Sequence, residues 1–162
     1  MVTNMDLAAI SQFKDKRNSG MEARRQASFL FSRALGRGRR RTFLHKLARR
    51  ENRLKDLSRF SSDANRQPPK QTRVANIPLS KIVGSEGRIH DFDDAFNPLT
   101  AHNRDRWIGI AAARQQGTGL PPVELIQAGH QYYVRDGHHR ISVARAFSQA
   151  EIEAHIVYVL AD

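Results

Sequence analysis

The chain has 162 residues, 27 Lys and Arg against 16 Asp and Glu, and a formal net charge of +11, a length that fits one ordinary domain with an appendage and excludes two full cores. With no cysteine it has no disulfide, thiolate metal ligand or cysteine nucleophile, and the cytoplasm, a reducing compartment, is the expected location. No stretch approaches the roughly 18 apolar residues of a membrane span, and the first residues lack the basic start and apolar run of an export signal.

The charge is unevenly spread. Through Arg73 there are 19 Lys and Arg against 6 Asp and Glu, and from Val74 onward 8 against 10. Such asymmetry suggests a polyanion-binding arm, residues 1–73, joined to a conventional domain, residues 74–162.

Residues 1–19 lack strong periodicity and read as a mobile lead-in. From Met21 the apolar residues Ala27, Leu30, Phe31 and Ala34 recur at i, i+3, i+4, i+7, which predicts a helix, and Gly36 is placed to cap its end. The connector GRGRRR, Gly36 to Arg41, precedes a second helical pattern in which Phe43, Leu47, Leu54 and Leu57 form a narrow stripe. Glu51 and Lys55 fall at the spacing of an i,i+4 pair. SSDANRQPPKQT, Ser61 to Thr72, is polar with a double proline and reads as a linker.

Beyond the linker the rhythm changes. VANIPLSKIV predicts a strand and turn; His102 to Gly117 predicts a helix with Trp107, Ile110, Ala111 and Arg114 along one face. VELIQ, the turn AGHQ and YYVRD predict two short strands, followed by a helix from Ile141 to Phe147 and a last strand from Glu153 to Val159. The order strand, helix, strands, helix, strand gives an α/β (α+β) domain of about 90 residues with a small mixed sheet.

The corner DGHHR, Asp136 to Arg140, carries the chemistry. A strand meets Gly137, which turns at little steric cost, and the next helix begins with unpaired N–H groups that favour an anion, phosphate above all. Arg140 adds a planar charged fork, and His138 and His139 donate or accept near neutral pH. Asp136 fits three roles: binding a cation, accepting a substrate proton, or capping the helix. The plainer reading, a helix cap with satisfied histidines, stays open at this point.

Other clusters are weaker. HDFDD, His90 to Asp94, lies near Arg88; Asp91 and Asp93 suit a Mg²⁺–nucleotide complex, or the segment is an acidic exposed loop. Arg104 and Trp107 share a helical face, for phosphate and base or for a core indole flanked by solvated arginines. Ser142 and Ser148 have no base and orienting acid nearby, so no nucleophilic triad is read. In the arm, Arg37, Arg39, Arg40, Arg41, Lys46, Arg49, Arg50 and Arg53, with Arg33, can each neutralise a phosphate of DNA or RNA. The interspersed Phe29, Phe31 and Phe43 also suit an anionic membrane surface, and solvated helices packing on the domain are the third reading.

Taken together, IPLSKIVGSEGRIHDFDDAF, HNRDRW, GLPPVELI, YYVRDGHHRISVARAF and IEAHIVYV resemble, in order and spacing, the ParB/sulfiredoxin-like superfamily. The resemblance covers about half the chain. It implies a small α/β domain whose glycine–histidine–arginine corner binds nucleotide phosphates: a CTP box in ParB relatives, an ATP loop in sulfiredoxin relatives, and the nucleotide and substrate corner in ParB-like free-serine kinases. Carried over, Gly137, His138, His139 and Arg140 contact phosphate, and Arg88 serves the same site. Histidines stand where partition proteins usually carry arginines, and sulfiredoxin's reactive cysteine is absent. A chain ending at Asp162 leaves out the downstream DNA-binding and dimerisation domains expected of a complete partition protein.

The combined expectation is a nucleotide-binding protein using ATP or CTP, a nucleoside triphosphatase or nucleotide switch, whose arm binds DNA or RNA. Asp136 or Asp91 supports the attacking water or a metal, and Mg²⁺ is the expected cation, with Asp91 and Asp93 as its ligands. A small-molecule kinase, a non-enzymatic DNA-binding accessory and a nuclease are the alternatives; a homodimer is left open.

Overall fold

Residues 4–47 do not break where their glycines suggest. The computed structural model describes the backbone of residues 4–59, 66–67 and 74–160 and the side chains of residues 17–58 and 74–159. In it a single helix, α1 (Asn4–Leu47), runs for 44 residues. The expected lead-in is thus already helical from Asn4, and Gly36 is inside the helix instead of capping it. Gly38 serves a close approach inside the helix, since a Cβ there would lie 2.6 Å from the carbonyl oxygen of Pro98. The connector is a stretch of helix pressed against a loop, and only glycine permits that approach. Arg37 Nε donates to Asn97 Oδ1 at 3.4 Å and Arg41 Nη2 to Asp94 Oδ1 at 2.8 Å, tying the same turns down.

The helix ends at Leu47. Just beyond it, Arg49 adopts a left-handed φ of 51° and the Arg50 amide reaches back to the His45 carbonyl at 2.9 Å. That six-to-one bond closes the helix as a Schellman turn, with arginine in the position glycine usually takes. The predicted second helix is therefore absent. Leu54 and Leu57 are buried, but they flank β1 (Lys55–Asp56) and start the 3₁₀ turn Leu57–Arg59. Glu51 and Lys55 make no helical pair, and Lys55 Nζ donates instead to Gln131 Oε1 at 3.2 Å.

The remaining strands are β2 (Arg66–Gln67), β3 (Val74–Pro78), β4 (Ile82–Ser85), β5 (Val123–Ala128), β6 (Gln131–Asp136) and β7 (Glu151–Leu160). They form a mixed sheet in the order β1-β4-β6-β5-β7, with β2 and β3 both pairing antiparallel with β7. β1 and β4, β4 and β6, and β5 and β7 run parallel, while β5 and β6 are an antiparallel hairpin turned at Gly129. The expected α/β class holds. Pairing also crosses the 73/74 boundary, because β1 borders β4 and β2 borders β7. Apart from Arg66 and Gln67, the linker Ser61–Thr72 lies outside the described residues.

Two further helices, α2 (Arg104–Gln115) and α3 (His138–Ala146), complete the fold. α3 joins two apolar layers: Ile141 and Ala144 pack with Val123, Leu125 and Val134 of the sheet, whereas Val143 packs with α1 and α2. In the second layer Ala23, Ala27, Phe31 and Ala34 of α1 meet Trp107, Ile108, Ala111 and Ala112 of α2. Small residues on both helices let the backbones approach, and burial of each large side chain stabilises by about 1.5–3 kcal/mol. Trp107 is fully buried, edge-on to Phe31 at 5.5 Å, and its indole N–H donates to Ser142 Oγ at 2.9 Å. Arg145, at the far end of α3, donates to the carbonyls of Leu79 and Ile82 and lies over the Phe96 ring, which fixes α3 against the start of β4.

Candidate anion-binding corner at the start of α3

β6 delivers the chain to Asp136, and Gly137 follows with φ 100°. A Cβ at Gly137 would lie 2.5 Å from Val123 Cγ1, so both the dihedral and the space require glycine. α3 begins at His138, three residues earlier than periodicity alone indicates. Its first intrahelical bond runs from the Ile141 amide to the Gly137 carbonyl at 3.0 Å. The amides of residues 138–140 precede it and have no intrahelical carbonyl to meet.

The charged residues of the corner are engaged differently from the sequence reading. Asp136 makes no capping bond; its carboxylate pairs with Arg140 Nη2. The other arm of that guanidinium donates to the carbonyls of Pro121 and Pro122 at 2.6 and 2.8 Å. Arg140 lines the corner, but its fork pins the chain entering β5 and is not directed at an open phosphate seat. Asp136, as its partner, is not a free base.

His138 and His139 are both buried. His138 Nε2 lies 2.6 Å from Ser85 Oγ, and that oxygen accepts the amides of Gly87 at 3.1 Å and Arg88 at 3.0 Å. A hydroxyl accepting two bonds has one proton to give. Its other acceptor, the Val134 carbonyl, is at 3.5 Å, so the proton goes to His138 Nε2 and the imidazole carries its own proton on Nδ1. Ser85 thus fastens the Arg88 turn to the start of α3. The sequence reading missed it; a serine at a strand end before Glu-Gly-Arg is the weak signal that was present.

His139 differs. Neither of its ring nitrogens has a partner and both are buried; the residue is 7% exposed, with its ring edge-on to Phe92 at 5.4 Å. It lines both a cleft of about 30 Å³, shared with Arg88, Arg106, Ile110 and residues 136–140, and a void of about 10 Å³ beside Asp91, Thr100 and Asn103. Burial lowers both histidines from the usual 6.5 to about 4; the next cause is the Arg88 charge for His138 and the Arg106 charge for His139. Both are neutral at physiological pH.

Arg88 and Arg106 provide the exposed cations of this corner. Arg88 Nη1 is 3.4 Å from Asp91 Oδ2, an open pair half in water. Arg104 and Trp107, expected on one helical face, do not join Arg106 here: Trp107 is core, and Arg104 donates to Ser28 Oγ at 2.6 Å. Asp93, expected as a Mg²⁺ ligand, is instead committed to its own loop. It is fully buried, accepts from the amides of Ala95 and Asn97 and from the Asn97 side chain, and lies 3.2 Å from Arg41 Nε. Among the described residues no group of three or more His, Asp or Glu is placed to hold a metal ion.

The arm cations also divide. Arg37 and Arg41 bond the loop at 93–97, whereas Arg39, Arg40, Lys46, Arg49, Arg50 and Arg53 are exposed. No helix among the described residues is long and apolar enough to cross a membrane.

No family model matches the chain, and no curated protein matches it. Among solved structures it is similar to sulfiredoxin from Arabidopsis thaliana, at 18% identity and a TM-score of 0.40, over 52% of this chain and 83% of that one.

Proposed function

We propose that the chain binds a nucleotide through its phosphates at the start of α3, as a nucleoside triphosphatase or nucleotide switch, and that its exposed arm cations hold DNA or RNA. The observation that carries the reading is His139, a neutral imidazole with two buried, unpartnered nitrogens in the lining of a cleft that Arg88 and Arg106 share. A buried polar group without a partner is destabilising, and a phosphate over the cleft would supply an acceptor to its N–H while the first amides of α3 and the two arginines balance the charge. A volume of about 30 Å³ is the share of roughly one water. One phosphoryl oxygen would enter, and the rest of the nucleotide would lie over the mouth.

The donor set does not fit a Mg²⁺ held by the protein alone, since Asp93 is committed to its loop and Asp91 is paired with Arg88. No step is therefore assigned to a cation. Ser85 and His138 hold the Arg88 turn against the start of α3, beside His139. Calorimetry and thermal shift with ATP, ADP, CTP and GTP, each with and without Mg²⁺, test the proposal, with products separated into free phosphate and phosphorylated acceptor. At least one nucleotide should raise the melting temperature, and His139→Leu should remove that shift while melting at or above wild type. A panel without heat or shift would falsify the reading.

A further inference from the structure

We infer that the groove at the C-terminal end of α1 is a seat for single-stranded nucleic acid. The inference deepens, and rests on, the polyanion-binding half of the function proposed above. The groove has a volume of about 520 Å³ and is bounded by three pieces of chain: the last turns of α1, residues 50–56, and Ile89 with His90. Lys46, Arg50, Arg53 and Lys55 line it together with His45 and His90. Two carboxylates share the lining, Glu51 and Asp56, and Asp56 accepts from the Ser58 amide and hydroxyl.

The cations here are available in a way that others on the helix are not. One and two turns earlier, Arg41 and Arg37 reach the loop at 93–97. Among the described residues no ion pair takes up Lys46, Arg50 or Arg53, and all three are exposed. Nothing in the packing requires three unpaired cations around one concavity, and phosphates in series would neutralise them.

The concave shape decides between kinds of polymer. A duplex is read by a convex element, a helix or ribbon, that enters its groove; a concave, basic track takes an unpaired strand whose bases can turn toward ring faces. His45 and His90 supply rings in the lining. Phe43, 67% exposed, stands on the adjoining face of α1 with Leu47 one turn on, 75% exposed, and offers a further stacking surface beside the cations.

The test is fluorescence anisotropy with labelled oligo(dT) and oligo(U) of about 20 nucleotides, longer than a typical single-strand site, alongside a duplex of the same length and sedimentation with phosphatidylserine vesicles. Three proteins are compared: wild type, the groove variant Lys46→Glu/Arg50→Glu/Arg53→Glu, and Arg39→Glu/Arg40→Glu, which reverses two exposed arm charges outside the groove; thermal melts check that each is folded. Wild type should prefer the single strands. The groove variant should bind at least about tenfold more weakly, with its salt slope shallower by about 2, the value for three lost phosphate contacts on a single strand. The Arg39/Arg40 variant should lose less. If the Arg39/Arg40 variant alone loses binding, the groove is refuted while the polyanion reading stands; if wild type binds neither strand nor duplex, both are refuted. Tighter binding to duplex, or to vesicles with no binding to oligonucleotides, also overturns the inference.

Discussion

At the start of α3, polar groups sit among buried rings: His138 is bonded to Ser85, His139 has no partner, and Phe92 packs against both. At the C-terminal end of α1, cations stand in water around an open groove. A chemical group at the corner acts strongly because little water competes with it, whereas a group at the groove acts weakly alone and only as one of several charges. The corner should therefore respond to single substitutions in both stability and binding, and the groove to combined substitutions in binding only. The largest expected effect lies beneath the corner. Trp107→Ala removes the indole that joins α1, α2 and α3 and should cost about 3–5 kcal/mol in urea denaturation.

Gly137→Ala should follow, at about 2–4 kcal/mol, because the added methyl meets Val123 at a φ of 100°. Any nucleotide-induced thermal shift should vanish with it, since the first turn of α3 must move. A variant that melts like wild type would mean that the turn is softer than its geometry indicates.

The corner was legible in sequence to the extent that its bonds are local. Strand alternation, the Gly129 turn and Gly137 mark β5, β6 and the start of α3 from neighbouring residues. Ser85 was not legible, because its bond is to a histidine 53 positions away, and no motif of adjacent residues encodes that meeting. Nor does the dipeptide HH indicate that one ring is partnered and the other orphaned. The N-terminal half failed for a different reason. Leu54 and Leu57 fall by coincidence at helical spacing, but the two residues between them are extended beside β4, where Gly84 leaves room for the Lys55 carbonyl against Tyr133. Gly36 and Gly38 look like punctuation until the loop that Gly38 meets is known. The acidic segment at 91–94 reads as a metal site or an exposed acidic loop when its partners are missing, yet Asp93 is buried, with backbone amides and Arg41 from α1 around it.

Acid should distinguish the two regions next. Both corner histidines have folded values near 4, against 6.5 when unfolded. Between those values the unfolded chain binds more protons, so stability is fully present above about pH 6.5 and falls as pH drops toward 4. Melts at pH 7.5 and 5 should differ by on the order of 2 kcal/mol for the pair, allowing for water at the mouth of the cleft. His138→Phe/His139→Leu should flatten that dependence. The groove variant should keep it, because its substitutions leave the buried imidazoles in place.

The finest comparison is between two adjacent arginines. Arg41 pairs with Asp94 at 2.8 Å and approaches the fully buried Asp93 at 3.2 Å, while its own side chain is 41% exposed. Arg41→Ala would leave Asp93 with its amide donors but without a cation, and solvent reaching the guanidinium limits the loss to about 1–2 kcal/mol. Arg40, one residue earlier, is exposed and makes no such pair. Arg40→Ala should change stability by less than about 0.5 kcal/mol and should weaken oligonucleotide binding only slightly. Equal destabilisation by the two substitutions would mean that α1 is held to the 93–97 loop by packing at Gly38 and the Arg37–Asn97 bond, and that the Arg41 ion pairs add nothing to it.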